Sequence, residues 1–208
     1  MGRKNRSEHR TAHVSNMRMR IAAAAARIMA EEGIDDFALA KRKAARRLGA
    51  RDSEALPGNE EIETALRDYR ALYQADEHPE RTAELRRIAL DAMRAFERFS
   101  PYLTGPVLTG LAGPYAEVDL QLFPESTKDV ELHLLDLGIA YEASDERRYT
   151  GDRARAVAVI SLDWQGIPLR LAVFDRRDER AALKTTPAGR VAPRAGIAEV
   201  SALVQAGQ

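Results

Sequence analysis

The chain has 208 residues, 45% apolar and 31% charged, with 32 basic and 32 acidic side chains and no cysteine. That length supports one sizeable core, or a core with a helical extension. The lack of cysteine excludes a disulfide framework, thiolate metal ligands and a cysteine nucleophile, and no apolar run approaches a membrane span. The zero net charge conceals an asymmetry, because residues 1–50 hold 12 Lys/Arg against 5 Asp/Glu and leave 20 against 27 for the rest.

Residues 1–14, MGRKNRSEHRTAHV, are polar, basic and without period. They read as a disordered basic arm with no signal-peptide core, and the cytoplasm is the expected compartment. Residues 15–99 read as helical. Ser15 opens a helix to about Glu32, with Ile21, Ala24, Ala25 and Ile28 at helical spacing and Gly33 after it. Asp35 or Asp36 caps a second helix, Phe37 to Leu48, whose Lys41, Arg42, Lys43, Arg46 and Arg47 make it strongly basic. The third begins at Asn59 and carries Ile62, Leu66, Tyr69, Leu72 and Tyr73. Pro79 suits the first turn of a fourth helix, to about Phe99, with a stripe of Leu85, Ile88, Ala89, Ala92, Met93 and Phe96.

The pattern changes at Ser100-Pro101. A short apolar run with glycines, Pro106 to Gly113, reads as a first strand and a glycine turn, and Val118, Leu120 and Leu122 after it alternate with Glu117, Asp119 and Gln121 in strand periodicity. Ser126 caps a helix closed by Gly138, and a short strand, Ile139 to Glu142, follows. After a charged hairpin, Ala154–Leu162 and Ile167–Phe174 flank DWQG as an antiparallel pair. AALKTTPAGRVAPRAG reads as an extended surface loop before a last helix, Ile197 to Gln205. The fold class expected is α+β: a helical N-terminal half, then over residues 100–208 a small mixed or antiparallel sheet with helices.

The stretch LTGLAGPYAEVDLQLF, residues 108–123, carries the most chemistry. Acids at i and i+2 of a strand point the same way, and two carboxylates on one face can hold Mg²⁺, a hard cation that takes oxygen ligands. A glycine turn beside them lets backbone N–H groups approach phosphate oxygens. The combination resembles the nucleotidyltransferase fold of the DNA polymerase beta-like superfamily over roughly residues 100–175, through Leu108-Thr109-Gly110-Leu111 and Glu117-Val118-Asp119. The resemblance implies an NTP substrate and Mg²⁺ held by Glu117 and Asp119 as catalytic residues, with Thr109 and Gly110 at the phosphates. Lys184 and Arg190, on the late loop, are the expected further nucleotide contacts.

Three features depart from the family. Leu111 stands where serine or glycine is usual, Gly110 lies closer to Glu117 than the common spacing, and the late strand PLRLAVFD places Arg170 where a third acid belongs. Asp163 and Asp175 fall at strand ends instead. Glu117 and Asp119 therefore either hold metal or face Arg170 or Arg155, and a catalytically degenerate nucleotide-binding or protein-interaction module of the same fold is the alternative.

The basic N-terminal half suggests a nucleic-acid or protein acceptor. Residues 20–50, RIAAAAARIMAEEGIDDFALAKRKAARRLGA, resemble the start of a TetR-type regulator, which gives a second alternative, a DNA-binding regulator. The place of its recognition helix is taken by the acidic, proline-containing RDSEALPGNEE. The four histidines show no ligand spacing, and neither a P-loop nor a GxSxG motif is present. Trp164 reads as a turn aromatic folded back on the sheet.

Overall fold

A computed structural model describes residues 2–34, 36–50, 56–74, 77–150, 153–181, 183–184 and 191–207, and for residues 2–14, 77, 150, 153 and 184 the backbone alone. The chain divides into two units, residues 1–78 with Gly113–Tyr115, and residues 79–112 with 116–208.

The first unit is built from α1 (Gly2–Glu32), α2 (Phe37–Arg47) and α3 (Asn59–Tyr73). Helix α1 takes in the segment expected as an arm. Residues 3–14 contain neither proline nor glycine, and their Arg, Lys, Glu and Ala are good helix formers. Ile21, Ala25, Ile28 and Met29 of α1, Ala40 and Ala44 of α2, and Ile62 and Leu66 of α3 are buried, and α1 packs on both other helices. Asp36 caps α2 by accepting from Ala38 N at 2.7 Å. The cap of α3 is Gly58 rather than Asn59, and Glu61 reaches back to Gly58 N at 2.6 Å. Charged side chains tie the helices: Arg18 donates to Glu61 at 2.6 Å, Tyr69 to Glu31 at 2.7 Å, and both Lys43 and Arg47 to Glu32.

The second unit begins inside α4 (Glu77–Ala95), at Pro79 rather than at the boundary expected at Ser100. The apolar stripe of α4 sets this division: Leu85, Ala89, Ala92, Met93 and Phe96 belong to the core of the sheet. A 3₁₀ turn (Glu97–Phe99) leads to β1 (Tyr102–Thr104), α5 (Gly105–Thr109), β2 (Val118–Leu122), α6 (Thr127–Asp136), β3 (Tyr141–Thr150), β4 (Arg153–Trp164), β5 (Ile167–Val173), a second 3₁₀ turn (Arg176–Arg180), β6 (Leu183–Lys184), β7 (Arg194–Ala195) and α7 (Ile197–Ala206). Seven strands form one mixed sheet in the order β6-β3-β4-β5-β2-β1-β7. All neighbours are antiparallel except β2 and β5, which run parallel.

One face of the sheet holds the main core. Leu103, Val118, Leu120, Leu122, Ile160, Leu169, Leu171 and Val173 pack there with α4 and with Val130 and Leu134 of α6. Ser126 caps α6 as expected, and Asp129 completes the box from N3. Trp164 folds back as expected: its ring lies 5.7 Å from that of Phe96, and Nε1 donates to Asp91 at 3.1 Å. Gln165 (φ 55°) and Gly166 (φ 82°) make the hairpin turn, whose backbone needs positive φ at both central positions. His133 binds the Ala95 carbonyl at 3.0 Å, edge-on to Phe96 and Phe99. Among the described residues no helix is long and apolar enough to cross a membrane.

Two elements differ from the sequence reading. The apolar run 106–113 is not a strand, because Pro106 stands in the first turn of α5 and fixes a helical φ there. The strand before the glycine turn is β1, three residues long. Strand β3 runs to Thr150 rather than stopping at Glu142, because all of Tyr141–Thr150 pairs with β4.

Candidate functional site

Strand alternation decides which side chains share the second face of the sheet. With Val118, Leu120 and Leu122 committed to the core, Asp119 and Gln121 point the other way. With Leu169, Leu171 and Val173 in the core, so do Arg170 and Ala172. The parallel register then sets Asp119 beside Arg170 on adjacent strands. Thr104 of β1 lies across from Asp119, and Ser161 of β4 across from Arg170, which completes a row over four strands.

Arg170 is the centre of this row. Its Nη1 lies 3.4 Å from Asp119 Oδ1 and its Nε 3.8 Å from Glu117 Oε2, and Nη2 binds Glu146 Oε1. Glu146 also accepts from Arg148 at 2.7 Å. Three carboxylates and two guanidinium groups thus interlock on one face. Each pair is partly open to solvent (the Arg170 and Asp119 side chains are both 29% exposed), so a single pair contributes little to stability. Three pairs converging on one planar fork hold the guanidinium in place.

The backbone closes the other side of Asp119. Gly105 opens α5 with φ 74°, and a Cβ built there would stand 2.8 Å from Asp119 Oδ2. Only glycine accommodates both that backbone and that approach. Gly105, not Gly110, is therefore the glycine turn next to the acids. It precedes Glu117 by twelve residues, against seven for Gly110.

The other expected site residues lie elsewhere. Thr109 donates its hydroxyl back to the Gly105 carbonyl at 3.3 Å, and Gly110 caps the C-terminus of α5 in the left-handed conformation. Arg86 of α4 supports that end by donating to the Val107 and Leu108 carbonyls at 3.1 and 3.0 Å, and burial pulls its pKa down. Lys184 ends β6, at the opposite edge of the sheet from β1 and β7; Arg190 and the Lys184 side chain lie outside the described residues. Asp163 and Asp175 serve turns, accepting from Gly166 N at 2.8 Å and Arg177 N at 2.9 Å. Arg155 pairs with Asp178 at 2.8 Å. Glu146, which the sequence reading missed, is the third acid of the cluster. Its signal was the period-2 set Glu142, Ser144, Glu146, Arg148, visible only if β3 is carried past Glu142.

Beside this polar row the face carries a small apolar cluster of Phe123, Val157, Phe174 and Leu183. Phe123 and Phe174 stack at 5.5 Å, Tyr102 meets Phe123 edge-on, and Arg194 lies over the Tyr102 ring at 4.6 Å. Tyr102 donates to Glu179 at 3.2 Å; burial, then that carboxylate, push its hydroxyl above the usual phenol range. Among the described residues no group of three or more His, Asp or Glu side chains is arranged to hold a metal ion.

No protein-family model matches the chain, and no curated protein matches it. Among solved structures, that of a cytoplasmic RNA terminal U-transferase is similar at a TM-score of 0.30 and 20% identity. The match covers 49% of this chain and 30% of that one, so the chain spans under a third of that structure's length.

Proposed function

We propose that residues 79–208 form a nucleotide-binding module of nucleotidyltransferase type in which Arg170 takes the role of the metal, so that nucleotide is held without Mg²⁺-dependent transfer. The observation that carries this reading is the guanidinium of Arg170 set against Glu117, Asp119 and Glu146. The nucleotide part rests on the resemblance of the sequence and on the glycine turn at Gly105.

The residues present do not fit Mg²⁺. The ion needs oxygen ligands at about 2.0–2.1 Å in near-octahedral array, and the oxygens of Glu117 and Asp119 that face the row already face a cation. A dication on those oxygens would stand beside the guanidinium and meet its positive charge, a repulsion that solvent at these partly exposed side chains screens but does not remove. Arg170 can neutralise the acids and meet a phosphate with a donor fork, but it cannot polarise a leaving pyrophosphate as a metal does.

Calorimetry with each of the four NTPs, with Mg²⁺ and with EDTA, tests this. Binding of at least one NTP with the same affinity in both buffers, and no pyrophosphate release, is the expected result. Binding that requires Mg²⁺, with pyrophosphate release lost in Asp119→Asn, overturns the degenerate reading in favour of an active transferase. No heat with any NTP removes nucleotide as the ligand and leaves a protein-interaction module.

A further inference from the structure

Many charged side chains of the first unit pair with one another between its helices, and α2 carries two that do not among the described residues. Of its five basic side chains, Lys41 donates to Asn59 of α3 at 2.7 Å, and Lys43 and Arg47 bind Glu32 of α1. These three hold the helices together. Arg42 and Arg46 are exposed and have no ion-pair partner among the described residues. They stand at i and i+4, so they share one ridge with Cβ atoms about 5–6 Å apart. Ala38, one turn earlier, is also exposed and small. The helix contains no acid.

We propose that this ridge is a contact surface for a nucleic-acid phosphate backbone, carried by Arg42 and Arg46. The guanidinium fork suits phosphate oxygens, and two exposed forks on one ridge offer a matched pair of contacts. The surface reads no sequence. Helix α3, next along the chain, starts with Glu60 and Glu61, whose carboxylates repel phosphate, so α3 is not suited to present its first turn to base edges. A lipid surface fits poorly, because Ala40, Ala44 and Ala45 of α2 are buried inside the unit and Leu39 is the one large apolar side chain that this helix exposes, too little to form an inserting face. The inference concerns the first unit alone and stands or falls apart from the nucleotide reading.

Fluorescence anisotropy on the full chain tests it, with a labelled single-stranded RNA of about 20 nucleotides and a DNA duplex of similar length, from about 50 to about 200 mM salt. The chain should bind at least one probe with little dependence on base sequence. Neutralising two phosphates gives a log–log salt slope of about −1.8 on duplex or about −1.4 on single strand. Arg42→Gln/Arg46→Gln should make the slope shallower by that amount and weaken binding to every sequence alike, while Arg42→Lys/Arg46→Lys keeps most of it. Unchanged circular dichroism in the Gln pair separates lost contact from lost fold, and the Lys pair carries the test if the Gln pair does not fold. No binding of either probe at the lowest salt, an unchanged slope in the Gln pair, or capture by anionic vesicles without capture of either nucleic acid overturns the proposal.

Discussion

Replacing Arg170 by aspartate reverses the charge at the centre of the acid row. In the native chain the guanidinium stands 3.4 Å from Asp119 and 3.8 Å from Glu117 and touches Glu146. A unit-charge pair at about 4 Å interacts by roughly 4 kcal/mol at an effective dielectric constant of about 20, but side chains this exposed retain only about 1 kcal/mol or less per pair. Losing the pairs with Arg170→Met should therefore cost about 1–2 kcal/mol, a fall in Tm of about 3–8 °C. Arg170→Asp adds carboxylate repulsion and should cost about 3 kcal/mol. The aspartate variant, however, presents carboxylates from positions 117, 119 and 170 with no cation among them, which is a ligand set for a hard divalent ion. Mn²⁺ or Mg²⁺ at about 100 times its Kd would return about 2.7 kcal/mol of stability. Thermal melts of the native chain and both variants, with and without millimolar metal, supply the assay. The native Tm should not respond to metal, and that of Arg170→Asp should rise by several degrees. A native Tm that rises with metal as much as the variant's, or an aspartate variant indifferent to metal, refutes the reasoning.

Gly105→Ala should cost about 2–3 kcal/mol by urea unfolding, because the new methyl meets Asp119 as well as a φ of 74°, whereas Gly138→Ala, with φ 68° and open space around it, should cost about 1 kcal/mol; equal losses would show that the approach to Asp119 does not matter. Asp91→Ala removes the acceptor for Trp164 Nε1 and, at 2.7 Å, Gln165 Nε2. It should cost about 1–2 kcal/mol and shift tryptophan emission to the red, and an unmoved spectrum would contradict the tether. In the first unit Glu31, Glu32 and Glu61 all have carboxyl pKa values below the usual range. The causes are hydrogen bonds from Tyr69 and Arg27, from Lys43 and Arg47, and from Arg18 and Gly58 N respectively. Because the folded values are depressed, the stability they bring is complete above the unfolded pKa of about 4.3–4.5 and is lost as pH falls below it through the folded values. Helix content followed by circular dichroism should hold its melting temperature down to about pH 5 and then decline; a melting temperature flat to well below pH 4.5 would contradict the three clamps.

Much of this fold is legible in the order of residues. Alternation marked β2 and the β4–β5 pair, Ser126 and Asp36 marked their helices, and the stripe of α4 was visible residue by residue. What escaped has definite physical causes. Three residues of β1 are too few to show a period, so the strand that leads into the glycine turn went unseen and the turn was placed at Gly110 instead of Gly105. Strand β3 is charged over most of its length, so it reads as a strand only to Glu142 and then as a charged hairpin; Glu146 was hidden there. The boundary between the units was set after α4 instead of near its start, because a helix that belongs to a sheet looks the same in sequence as one that belongs to a bundle. The acid pair itself was legible, and so was Arg170 as its possible partner. Only the parallel register of β2 and β5 decides between Arg170 and Arg155, and that register is a property of the whole sheet.

The most direct measurement is a titration of Mn²⁺ into the native chain, with free ion followed by electron paramagnetic resonance. With Arg170 already among the acids, all added Mn²⁺ should stay free up to concentrations at which surface carboxylates in general begin to bind it. One equivalent of Mn²⁺ taken up tightly, and released by Asp119→Asn, would contradict the account at its centre.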